Sequence, residues 1–129
     1  MGSDETVQFR FAHHQLDVYG VALEVVVAAR RLSERIPRGH RTLADHLLRA
    51  ASSTVLLIAE GAHRRSAGDK RQRYSIARGE CGEVAAAVEV AAALGLVDTS
   101  ETAEVLEKAG RVSAMLLRLE QRFGSGSAT

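Results

Sequence analysis

Apolar residues return every three or four positions through four stretches of the chain, and each stretch predicts a helix of roughly twenty residues. The first runs from about Leu16 to Arg35. Between Val18 and Ala29 its only charge is Glu24, and Val18, Val21, Ala22, Val25, Val26, Val27 and Ala28 cover most of the circumference. A helix apolar nearly all round needs neighbours on more than one side. Its valines weaken intrinsic helix preference, so packing must hold it helical. Pro37 disfavours helical geometry at Ile36 and, with Arg38 and Gly39, makes the turn.

The second helix spans about Thr42 to His63, with Leu43, Leu47, Ala51, Val55, Ile58 and Ala62 as its stripe. Ser66 and Asp69 have the spacing of a capping box and start the third helix, about Ala67 to Leu94. Gly79, Gly82, Ala86 and Ala93 leave one side of that helix nearly bare, which predicts close approach of a neighbouring helix. Gly95 suits the left-handed position that closes it. Asp98 and Glu101 then open the fourth helix, Glu101, Glu104 and Glu107 favour its positive N-terminal end, and Val105, Ala109, Val112, Leu116, Leu119 and Phe123 form its stripe.

Short connections make sequential helices antiparallel neighbours, so the expected fold is all-α, an up-down-up-down antiparallel four-helix bundle over residues 9–123. Residues 1–8 read as a flexible tail, and the Gly/Ser-rich residues 124–129 as another. Composition narrows the class further. The chain has 129 residues, 46% hydrophobic and 26% charged, with 21 alanines, one proline and no tryptophan. That excludes a disordered chain and lacks the β-branched and aromatic runs of a β-sandwich. No transmembrane stretch or secretory signal is visible. The Gly2 to Thr6 start matches the short myristoylation pattern, which an acidic solvated tail also matches by chance. The single cysteine, Cys81, allows no internal disulfide and fits a reducing cytoplasm.

Several short motifs stand out along the chain: Phe9-x-Phe11, then Leu16-Asp17-Val18-Tyr19 with Ala22; Leu47 to Ser53; Ile58-Ala59-Glu60-Gly61 with Arg64, Arg65 and Ser66; Ile76-Ala77-Arg78-Gly79 with Glu83; and Leu94-Gly95-Leu96. In these the chain resembles the four-helix-bundle family of proteins encoded by intervening sequences within 23S ribosomal RNA genes, related to the accessory variability protein of retroelements. It departs from that family at Val55 and Leu57, where proline and asparagine are usual, at Glu80, often serine, and at His46, often glutamine. The resemblance implies a homopentamer of up-down bundles, and a relative that binds reverse transcriptase and nucleic acid. It supplies no activity.

With a net charge of +1, attraction to nucleic acid must come from local patches. Arg64, Arg65, Lys70, Arg71, Arg73 and Arg78 lie between His63 and Gly79 with Asp69 as the one acid, and are the candidate nucleic-acid-binding residues. Arg30, Arg31, Arg35, Arg38 and Arg41, against Glu34, cluster around the first turn at the opposite end. A solvated face with intersubunit ion pairs explains the same clusters, and aromatic interleaving is limited to Tyr74. Arg49, Glu60 and Arg78 are expected to form a buried ion pair between facing helices that fixes register.

His13, His14, His40, His46 and His63 show no metal-ligand spacing, and adjacent His13 and His14 point about 100° apart on a helix. No metal and no cofactor is expected. Cys81 has no histidine at helical spacing and reads as a packed thiol. No phosphate loop, nucleophile elbow or carboxylate pair appears, so no enzyme is expected. What remains is a cytoplasmic homo-oligomer, without a membrane role, binding RNA or DNA. The alternative is a protein adaptor or scaffold with no nucleic-acid role.

Overall fold

The computed structural model describes residues 10–124. The expected tail at 1–8, Phe9 of the family motif, the Gly2 acylation pattern and most of the Gly/Ser-rich end lie outside the described residues. A short 3-10 turn, Ala12–Gln15, leads into α1, Asp17–Ser33. A second 3-10 turn, Arg38–His40, leads into α2, Arg41–His63. Then follow α3, Ala67–Ala93, and α4, Thr99–Gly124.

Local chemistry explains the boundaries. Ser66 Oγ accepts the Asp69 amide at 3.0 Å and starts α3. Gly95, at φ 73°, takes the left-handed conformation that closes it, where a Cβ is disfavoured. The Asp98 amide donates to Glu101 Oε1 at 2.7 Å, so Glu101 caps α4 from its own first turn. Because the same carboxylate also pairs with Arg35 at 2.8 Å, Glu101→Ala should cost about 1 kcal/mol, the usual size of a lost cap. A lower urea midpoint at unchanged slope is the expected reading; an unchanged midpoint would show the cap to be idle.

Each helix packs on two neighbours, α1 on α2 and α4, and α3 on α2 and α4. Interhelical partners run in opposite directions along the chain. Glu24 meets Lys108 while Arg35 meets Glu101; His46 meets Glu83 while Glu60 meets Arg73. Arg78 meets Glu120 while Cys81 meets Ala109. Those crossings give the antiparallel four-helix bundle. Its core joins Val18, Ala22, Val25 and Ala29 of α1 to Leu47, Ala51 and Ile58 of α2, Tyr74, Val84 and Val88 of α3, and Val105, Val112 and Leu116 of α4.

One packing expectation is reversed. The Gly79, Gly82, Ala86 and Ala93 strip does not receive a neighbouring helix of this chain. Those residues are exposed, and nothing lies within 4 Å of a Cβ built at Gly79 or Gly82. α3 turns its other face inward, with Tyr74, Ala77, Cys81, Val84, Val88 and Ala91 buried. Both faces are apolar or small, so periodicity did not discriminate between them. The close approach occurs instead at Gly61, where the Tyr74 ring packs against the bare α2 backbone.

Candidate functional site

The bundle has two ends, and they treat their arginines differently. At the end formed by the α1–α2 and α3–α4 connections, Arg30 pairs with Glu34 at 2.9 Å, Arg31 with Glu104 at 3.1 Å and Arg35 with Glu101 at 2.8 Å. Exposed pairs of this kind add little stability, but they cancel local charge. Only Arg38 and Arg41 of that cluster lack an ion pair among the described residues.

The other end is built by the α2–α3 connection, the C-terminal turn of α4 and the approach to α1. Of the six candidate residues, three are absorbed by the fold. The Lys70 ammonium donates to the carbonyls of Gly61 at 3.3 Å and Ala62 at 3.0 Å, closing the C-terminus of α2, and lies 5.7 Å from the Phe123 ring centroid. Arg73 pairs with Glu60 at 3.7 Å. Arg78 forks onto Glu120, with Nε donating at 2.5 Å and Nη2 at 3.0 Å. That hydrogen bond with the carboxylate raises the Arg78 pKa above its ordinary value. Arg64, Arg65 and Arg71 make no ion pair among the described residues.

The expected pairing of Arg49, Glu60 and Arg78 with one another is therefore corrected. Arg78 faces α4, not α2, and α2–α3 register sets Glu60 opposite Arg73. Arg49 Nη2 sits 3.3 Å from His46 Nδ1, and His46 Nε2 sits 3.2 Å from Glu83. A neutral His46 with its hydrogen on Nε2 satisfies both contacts. Arg78 does make an ion pair between helices, but its acid is Glu120. Glu80 Oε1 is shielded with no hydrogen-bond partner among the described residues, and nothing in the structure explains it.

Antiparallel packing adds two arginines to the basic end. Arg118 and Arg122 of α4, with Met115 and Leu119, face Gln15, Leu16, Asp17 and Val18 across a groove of about 290 Å³. Neither makes an ion pair among the described residues. Their position in the sequence, some fifty residues from Arg71, carried no sign of this.

Aromatic residues also differ from expectation. Tyr74, the one ring expected among the arginines, is 1% exposed and packs in the core against Phe123. Another group was hidden by sequence distance: Phe11, His13, His14, Tyr19 and His63 converge where the Ala12–Gln15 turn meets the end of α2. His13 Nδ1 lies 3.2 Å from His63 Nε2, so one of these nitrogens carries a hydrogen and donates it to the other. Desolvation chiefly, then the charges of His14 and His63, holds the His13 imidazole below its ordinary 6.5. A histidine depressed on folding stabilises fully above the unfolded pKa, and that stability is lost as pH falls below about 6.5 and through the folded value. NMR titration should place the His13 midpoint below that of a free imidazole, and an upward shift would contradict the clustering.

Cys81 is buried in α3, its thiol donating to the Ala109 carbonyl at 3.2 Å, and burial pushes its pKa to about 11. A thiolate is scarce there at neutral pH. Thiol reagents should label Cys81 only at the rate of unfolding; rapid labelling of native protein would be the contrary result. Among the described residues, no three histidine, cysteine or acidic side chains converge as a metal site, and no helix is long and apolar enough to cross a membrane.

These features define a small all-helical bundle protein whose α2–α3 end carries five arginines, Arg64, Arg65, Arg71, Arg118 and Arg122, without an ion pair among the described residues. The model of the 23S rRNA-intervening sequence protein family matches residues 14–118, and the chain belongs to that family. No curated protein matches it.

Proposed function

We propose that this protein is a non-catalytic, self-associating cytoplasmic bundle that holds the phosphate backbone of nucleic acid at its basic end, with no cofactor. The observation carrying this reading is that Arg64, Arg65 and Arg71, with Arg118 and Arg122 at the same end, make no ion pair among the described residues, whereas three of the five arginines around the α1–α2 connection do. A guanidinium fork suits phosphate, and neutralising phosphates with arginine releases the counterions condensed on nucleic acid.

Self-association has separate support. On α3, Ile76, Gly79, Glu83, Ala86, Val90 and Ala93 follow alternating three- and four-residue steps on the exposed face, the spacing of a helix–helix seam. Leu94, 59% exposed, extends that seam. A second copy would cover it and repeat the arginine cluster around the assembly, multiplying a modest charge. Five copies is the number the family resemblance implies. Light scattering should return a multiple of 13.9 kDa; a monomer would remove this part.

For binding, affinity for a short oligonucleotide should fall steeply with salt. Arg64→Ala with Arg65→Ala should weaken it about tenfold and reduce the salt slope by about two. Salt-independent binding, or none at low salt, would defeat the reading. The alternative of a protein adaptor draws on Leu56 and Leu117, exposed on α2 and α4. Capture of a protein partner that survives nuclease and high salt would favour it.

A further inference from the structure

Resting on the nucleic-acid reading above, the aromatic cluster narrows which nucleic acid fits. Phe11 is 50% exposed and stacks nearly parallel to His13, at 5.7 Å between centroids and 9° between planes. Behind it, His13 contacts His14 at 4.5 Å, Tyr19 at 4.6 Å and His63 at 5.3 Å. Three chain segments thus support one half-open ring. Arg10 precedes Phe11, and Arg64 and Arg65 follow His63, so cations flank the platform on both sides in the chain.

An aromatic face and a phosphate-binding arginine make different demands on a ligand. Phosphates are available on any nucleic acid, but a base in a duplex already has both faces stacked. Only an unpaired strand can lay a base on Phe11 while its backbone runs to the arginines. The low His13 pKa keeps the supporting ring neutral near pH 7, as an apolar backing. We propose that Phe11, backed by His13, is a stacking platform for a base of single-stranded RNA or DNA, with Arg64 and Arg65 holding the adjoining phosphates.

Fluorescence anisotropy of the full chain with a labelled strand of ~12 nucleotides, as RNA, as DNA and as the matching duplex, tests this at low salt. The single strand should bind at least about tenfold tighter than the duplex, and Phe11→Ala should lose about tenfold on the strand while leaving the duplex unchanged. Phe11→Leu, equally apolar without a ring, should lose the same affinity, and Phe11→Trp should keep it. Because Phe11 is half exposed, unchanged thermal melts should accompany all three. Whichever of RNA and DNA binds names the source, and either satisfies the proposal. Equal or tighter duplex binding, or full strand affinity in Phe11→Ala, overturns the platform and leaves the phosphate reading standing. No binding to any of the three overturns both.

Discussion

Gly61→Ala should destabilise the protein by about 2 kcal/mol, although alanine is the better helix former by about 1 kcal/mol. The added Cβ would lie 2.5 Å from Tyr74 Cε1 and 2.9 Å from Cδ1, inside any real carbon–carbon contact. Tyr74 has nowhere to go, being 1% exposed with Phe123 against it. Either the ring leaves its rotamer or α2 and α3 move apart, and separation would also strain the Lys70 cap on the Gly61 and Ala62 carbonyls. For a chain of this size about 2 kcal/mol corresponds to a fall of roughly 7 °C in Tm, read at fixed concentration because self-association shifts Tm. Tyr74→Leu should cost stability alone yet reduce the additional penalty of Gly61→Ala. Independent, additive penalties would show that the glycine does not exist for the tyrosine.

Glu120→Lys should cost about 2 kcal/mol, more than a typical surface pair and less than a fully buried one. The Glu120 side chain is 12% exposed and Arg78 37% exposed, so the lost carboxylate leaves a guanidinium partly shielded from water and facing a second cation. Exchanging the charges, Arg78→Glu with Glu120→Arg, should recover at least half. Arg78→Ala should lower Tm while changing oligonucleotide affinity by less than about twofold, since its charge is already matched. If Glu120→Lys melts with the unaltered protein, the pair is no stronger than a solvent-exposed one. A large affinity loss in Arg78→Ala would return that residue to the binding surface.

The motif residues acquire physical roles in this light. Gly61 of the Ile58-Ala59-Glu60-Gly61 run is the landing place of Tyr74, Glu60 holds Arg73, and Arg78 of the Ile76-Ala77-Arg78-Gly79 run holds Glu120. Much of the most specific stretch therefore joins α2 to α3 and α3 to α4. Arg64 and Arg65, in the connection between them, are the members left without an ion pair among the described residues.

Helix positions were legible in the chain because their causes are local. Pro37, the Ser66 cap, the glycine at Gly95 and the Glu101 cap act across four residues or fewer, and three- and four-residue apolar spacing marks α1 to α4 within each segment alone. Charge clusters were legible too, as composition. Which charges survive uncancelled was not. A helix turned by one residue moves a side chain through about 100°, so the partner of Arg78, the orientation of α3 and the meeting of His13 with His63 depend on helix rotation and register. Those are set by how the whole core closes around Tyr74, Ile58 and Leu116, a cooperative fit that no single segment encodes.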